Sequence, residues 1–161
     1  MKIFLKAYTK KNLGDDIFVK IISEKYPDNV FYLPESANYL DINNLAFYNL
    51  KFNKMLKLIS LGRISKDVIA MKKCDVSVMI GGSMFIEPNS YFRKIISIIN
   101  YIPLFDFIIG VNFGPYYSQI YYKKFLKYFA NVKQICFREK KSYNMFPSLK
   151  NTYWAPDIIF N

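Results

Sequence analysis

With 161 residues, 52% hydrophobic and 19% aromatic, the chain can bury one core and hardly two, so a single domain over residues 1–161 is expected. It has no histidine, which excludes a Ser-His-Asp triad or a zinc site built from this chain alone, and Cys74 and Cys136 lack CxxC spacing, as free thiols of a reducing cytoplasm do. No metal and no cofactor is expected. The net charge of +11 favours anionic partners: phosphorylated metabolites, nucleotide sugars, anionic glycans or, peripherally, a membrane surface. No nucleic-acid motif accompanies it, so nucleic acid is not an expected partner.

Lys2 to Tyr8 (KIFLKAY) predicts the first strand, and the Lys10, Lys11 and Asn12 that follow it do not fit a secretory leader. Gly14 supplies a turn. Asp15 and Asp16 stand at the start of a helix whose apolar residues Ile17, Phe18, Ile21 and Ile22 have helical spacing. Carboxylates there cap free N–H groups and match the helix dipole, so capping and ligand binding are both open for Asp15. A second strand, Asn29 to Leu33, stops at Pro34. Tyr48, Phe52, Met55 and Ile59 form a helical stripe closed by Gly62, and a shorter helix follows Ser65. Residues 34 to 74 offer no site.

Val76 to Ile80 is a run of strand-forming residues, apolar but for Ser77, that ends in Gly81-Gly82-Ser83, the pattern of a buried strand delivering a loop. Glycines there let backbone N–H groups approach an anion; a tight turn is the plainer alternative. Pro88 to Ser90 opens a helix through Asn100. Leu104 to Val111 is another apolar strand, ending in Asn112-Phe113-Gly114-Pro115, and Tyr117 to Ala130 is an amphipathic helix with Ile120, Phe125 and Phe129 inward. Val132 to Phe137 delivers Arg138-Glu139, with Ser142-Tyr143 just beyond. A short helix ends near Pro147, and Thr152 to Trp154 leads into Ala155-Pro156-Asp157. The longest apolar stretch, Ile95 to Val111, is broken by Asn100, Pro103 and Asp106, whereas a spanning helix needs roughly 20 apolar residues, so a soluble protein is expected.

Strands alternating with helices predict an α/β fold with a doubly wound, mostly parallel, Rossmann-like sheet. Ligands in such sheets bind beyond the carboxyl ends of the strands. Five loops belong on that edge: Asn12 to Asp16, Gly81 to Phe85, Asn112 to Tyr116, Arg138 to Ser142 and Ala155 to Asp157. Polar and glycine residues collect in them while the strand bodies stay apolar.

In order, the motifs are N-x-G-D (Asn12, Gly14, Asp15), D-(apolar)-G-G-(small)-x-F (Asp75, Gly81, Gly82, Phe85), I-G-V-x-x-G-P (Gly110, Gly114, Pro115), F-R-E-x-x-S (Arg138, Glu139, Ser142) and A-P-D (Pro156, Asp157). Together they resemble the amino-terminal half of the polysaccharide pyruvyl transferases. The resemblance implies a cytoplasmic enzyme with two Rossmann-like lobes, laid out like a two-lobed glycosyltransferase. It implies transfer of pyruvate from phosphoenolpyruvate to a sugar of a cell-surface polysaccharide, as a ketal. Arg138 would clamp phosphate or carboxylate. Gly81, Gly82 and Ser83 would offer N–H groups, and Asn12, Asp15 and Asn112 would hold sugar hydroxyls. Gly14, Gly114, Glu139 and Ser142 complete the implied substrate-binding set; no catalytic residue is assigned. Ser83 stands where the family often has a third glycine. Family members continue beyond the point matching Asn161 into a second lobe carrying histidine, so a missing lobe or partner chain is implied. A nucleotide-sugar glycosyltransferase lobe and a non-catalytic truncated binding domain remain the alternatives.

Overall fold

Parallel strands covered on both faces need apolar residues at odd and even positions alike, and the strands of this chain have them. The computed structural model describes residues 1–8, 12–49, 60, 63 and 65–157. Its strands are β1 (Lys2–Lys6), β2 (Val30–Pro34), β3 (Leu45–Tyr48), β4 (Val76–Ile80), β5 (Phe107–Val111), β6 (Gln134–Phe137) and β7 (Thr152–Trp154). The helices are α1 (Leu13–Lys25), α2 (Lys66–Met71), α3 (Tyr91–Ile99), α4 (Gln119–Phe129) and α5 (Lys140–Asn144), with a 3-10 turn at Glu35–Ala37. All neighbouring strands pair in parallel, in the order β3-β2-β1-β4-β5-β6-β7. This is the α/β, Rossmann-like architecture expected.

The period of two sorts side chains between two cores. Ile3 and Leu5 of β1 and Val78 and Ile80 of β4 pack with Phe18, Val19 and Ile22 of α1. Phe4, Met79 and Ile108 turn the other way, into a core holding Phe85, Phe113, Phe125, Phe129, Phe137 and Phe146. That second core is aromatic and edge-on: Phe129 meets Phe85, and Phe113 meets Phe146, each with centroids 5.0 Å apart. Such geometry adds to the area buried.

Gly110 interrupts β5 at φ 69°, where the β5–β6 register shifts between Ile109 and Val111. A Cβ there would lie 2.7 Å from Phe18 Cε2, so glycine is needed both for the backbone angle and for α1 to close on the sheet. The bulge sets the direction in which β5 delivers Asn112.

Three expectations are corrected. Tyr48 ends β3, an edge strand paired with β2, and does not begin a helical stripe; Phe52, Met55, Ile59 and Gly62 lie outside the described residues. Ile120 is 63% exposed and Tyr121 takes the inward position, because Tyr121, Phe125 and Phe129 share one face of α4. The strand expected from Leu104 begins only at Phe107; Asp106, just before it, bonds through its backbone to Ser77 and Lys133, and its carboxylate accepts from the Ser77 N–H and hydroxyl. Among the described residues no helix is long and apolar enough to cross a membrane.

Candidate functional site

The strand order reverses between β1 and β4: the chain winds outward through β2 and β3, then returns to the other side of β1. At such a switch point the loops leaving two adjacent strands diverge and open a crevice. A hollow of about 270 Å³ lies there. It is lined by Asn12, Gly14, Asp15 and Phe18 at the start of α1, Gly81, Gly82 and Ser83 after β4, Arg138 after β6 and Asp157 after β7. A larger hollow of about 460 Å³ sits beside the last turns of α1 and the approach to β3, at the amino ends of the strands.

Asn12 is the N-cap of α1, its Oδ1 accepting from the Gly14 N–H at 3.2 Å. Capping therefore falls to Asn12, which frees Asp15 from the role the sequence left open for it. Asp16 accepts from the Tyr39 hydroxyl at 2.6 Å, outside the hollow's lining. Asp15 is 8% exposed and lies against Gly81, at φ 76°, so closely that a Cβ on that glycine would collide with the carboxylate. Burial pushes the Asp15 carboxyl above its ordinary range, Asp16 and Asp157 push the same way, and Arg138 opposes them.

Gly82 also has a left-handed backbone, φ 74°, but its added Cβ would meet nothing within 4 Å. The two glycines differ in their N–H groups as well. Gly81 donates to the Ile109 carbonyl at 3.0 Å, so the N–H expected to face a ligand is spent in the sheet. Among the described residues no backbone acceptor takes the N–H of Gly82 or Ser83.

Arg138 is held at its backbone, its N–H donating to the Val111 carbonyl at 3.0 Å. Its guanidinium, 31% exposed, reaches Asp157 Oδ2 at 3.4 Å and Asn112 Oδ1 at 3.3 Å. Both contacts exceed the usual 2.7–3.2 Å of an N–H···O bond and, among the described residues, engage two of five donors, so the side chain is oriented but not saturated. Asn112 acts on the hollow through Arg138.

The remaining expected residues stand behind the rim. Ser142 is fully buried; its hydroxyl accepts from the Phe113 N–H at 2.8 Å and donates to Glu139 Oε1 at 2.7 Å. Glu139 and Ser142 thereby tie the loop after β6 to the loop after β5. Gly114, at φ 97° before a cis bond to Pro115, donates to the Phe85 carbonyl at 2.8 Å and ties the loop after β5 to the loop after β4. None of the three lines the hollow.

Two residues were missed by sequence reasoning. Asp157 appeared only as a motif letter, with nothing to say that it pairs with Arg138. Glu87, fully buried, accepts from the N–H groups of Tyr117 and Ser118 and from the Ser118 hydroxyl, with Lys94 Nζ 3.6 Å away. Burial alone would raise its carboxyl, yet the Ser118 hydroxyl, the two N–H groups and Lys94 hold it below the ordinary value. A lone acid in the apolar run MFIEP was the available signal.

The family model described as polysaccharide pyruvyl transferase matches residues 12–161. No curated protein and no solved structure matches the chain.

Proposed function

The chain belongs to the polysaccharide pyruvyl transferase family, and from that membership we propose that its crevice binds phosphoenolpyruvate as pyruvyl donor and a cell-surface glycan as acceptor. On this reading the domain is one lobe of a two-lobed cytoplasmic enzyme, and peripheral contact with a membrane surface accompanies its work. The observation that carries the reading is Arg138, oriented but unsaturated, lining a hollow at the switch point together with a turn whose Gly82 and Ser83 N–H groups meet no backbone acceptor among the described residues.

Ketal formation consumes two sugar hydroxyls: one proton goes to the enol methylene and the other leaves with phosphate. Arg138 takes the phosphate or carboxylate, where a planar fork outperforms a lysine. The Gly82 and Ser83 N–H groups supply further donors. Asp15, whose burial favours the protonated form, is the candidate for the methylene proton. Asn12, on the same lining, would meet a sugar hydroxyl. A hollow of about 270 Å³ suits a small phosphorylated acid, since larger ligands occupy pockets of roughly 300–1,000 Å³.

Thermal stabilisation tests the reading. Phosphoenolpyruvate at 100 times its dissociation constant adds about 2.7 kcal/mol to stability, and Arg138→Ala removes that increment. Stabilisation by nucleotide sugars alone would transfer the site to a glycosyltransferase, and an unchanged response in Arg138→Ala would take Arg138 out of it.

A further inference from the structure

Helix α3 exposes what a freely dissolved domain hides. None of its residues is buried; Tyr91 is 81% and Phe92 70% exposed, and Ile95 and Ile99 follow on the same side, within an arc of roughly 100°. The apolar surface runs on to α4, where the Lys94 ammonium sits 5.2 Å over the ring of Tyr117, itself exposed, with Ile120 exposed beside it. Lys124 holds the two helices together by donating to the carbonyls of Ser97 at 2.7 Å and Asn100 at 2.8 Å.

The charge around this surface has one sign. Helices α3 and α4 carry five cations, Arg93, Lys94, Lys123, Lys124 and Lys127, and no acid. The preceding acid, Glu87, is buried. Arg93, Lys123 and Lys127 are exposed, so a second copy laid face to face would set cations against cations. An anionic bilayer satisfies both features at once: aromatic rings settle at the headgroup boundary and cations meet lipid phosphate.

We propose that the exposed face of α3, continued onto the start of α4, docks on an anionic phospholipid bilayer. The proposal names the surface and the lipid chemistry for the peripheral contact above, and it does not depend on which donor the crevice takes. A helix following a parallel strand runs back along it, so Tyr91 and Phe92 lie near the carboxyl edge of the sheet, where the crevice opens.

The test is flotation of the full chain with vesicles of phosphatidylcholine alone and of phosphatidylcholine with about 30% phosphatidylglycerol. The chain floats with the anionic vesicles and not the neutral ones. Arg93→Ala weakens partitioning roughly fivefold, and Phe92→Ser with Ile95→Ser weakens it at least about tenfold. These side chains are exposed, so the variants keep the melting temperature and the phosphoenolpyruvate response of the parent; failure here is thereby separated from failure of the donor assignment. Absence of flotation, equal partition onto both vesicles, or unchanged partition of the double variant overturns the proposal. So does a double variant whose only change is a smaller sedimentation coefficient, which assigns the face to self-association.

Discussion

Gly81 and Gly82 are adjacent and share nearly the same backbone angle, φ 76° and 74°, but only one has a carboxylate where a side chain would grow. Placing an L-residue in this region costs about 1–2 kcal/mol, partly offset by the roughly 0.4–1 kcal/mol that alanine gains through the stiffer unfolded chain. Gly82→Ala, opening onto space, should therefore cost no more than about 1.6 kcal/mol. Gly81→Ala carries the same backbone term and must also drive Asp15 away, an overpacking cost of about 1–3 kcal/mol. The surplus should vanish in an Asp15→Ala background, where Cβ has nothing to strike. A double-mutant cycle by urea denaturation reads it as a coupling of about 1–3 kcal/mol between positions 15 and 81, and near zero between 15 and 82. On heating, each kcal/mol appears as roughly 2–4 °C. Equal costs for the two glycines, or a Gly81→Ala cost unchanged by removing Asp15, would refute the contact.

Two further outcomes follow from the buried carboxylates. Glu87 titrates below its ordinary 4.5 in the folded chain, so its contribution is present above that pH and lost as pH falls through the folded value. Glu87→Gln should cost about 2–4 kcal/mol near pH 7 through lost charge-assisted bonds, with a gap to the parent that closes on acidification; urea titrations at both ends check this, and a constant gap would contradict it. Asp15 has the opposite sign. Its folded value lies above 3.8, so parent stability declines as pH rises from there through the folded value, and Asp15→Asn, which does not titrate, should gain on the parent over that window in paired melting curves.

What the chain disclosed in advance depended on how local the signal was. Val76 to Ile80 reads directly as a strand because a run of strand-forming residues, apolar but for Ser77, stops at two glycines, and Arg138 is placed by its position one residue past β6. Leu45–Tyr48 did not read as a strand: four apolar residues fit either period, and Tyr48 falls in helical phase with Phe52. The site's internal geometry was less legible still. That Gly81 spends its N–H on Ile109, and that Asp15 rests on Gly81, are contacts between segments far apart in the chain, and no spacing rule encodes them. Ser142 shows the converse, since a serine following a strand-end arginine has the composition of a ligand contact while its hydroxyl is consumed by Phe113 and Glu139.

The charge of the crevice runs against that of the chain. A protein of net charge +11 sets one guanidinium, Arg138, among two carboxylates, Asp15 and Asp157, so the long-range field draws an anion in while the local balance does not hold it. Exchange resolves the conflict. The 3.4 Å contact between Arg138 and Asp157 is long for a charged pair, and phosphate, with more acceptor oxygens and greater charge, competes well for the same nitrogen. An anion beside Asp15 would further favour its protonated form, already promoted by burial. On the proposed reading, donor binding and proton loading would be one linked event: the arriving anion would raise the Asp15 carboxyl proposed to give up its proton, and phosphate departure would let Asp157 return to Arg138.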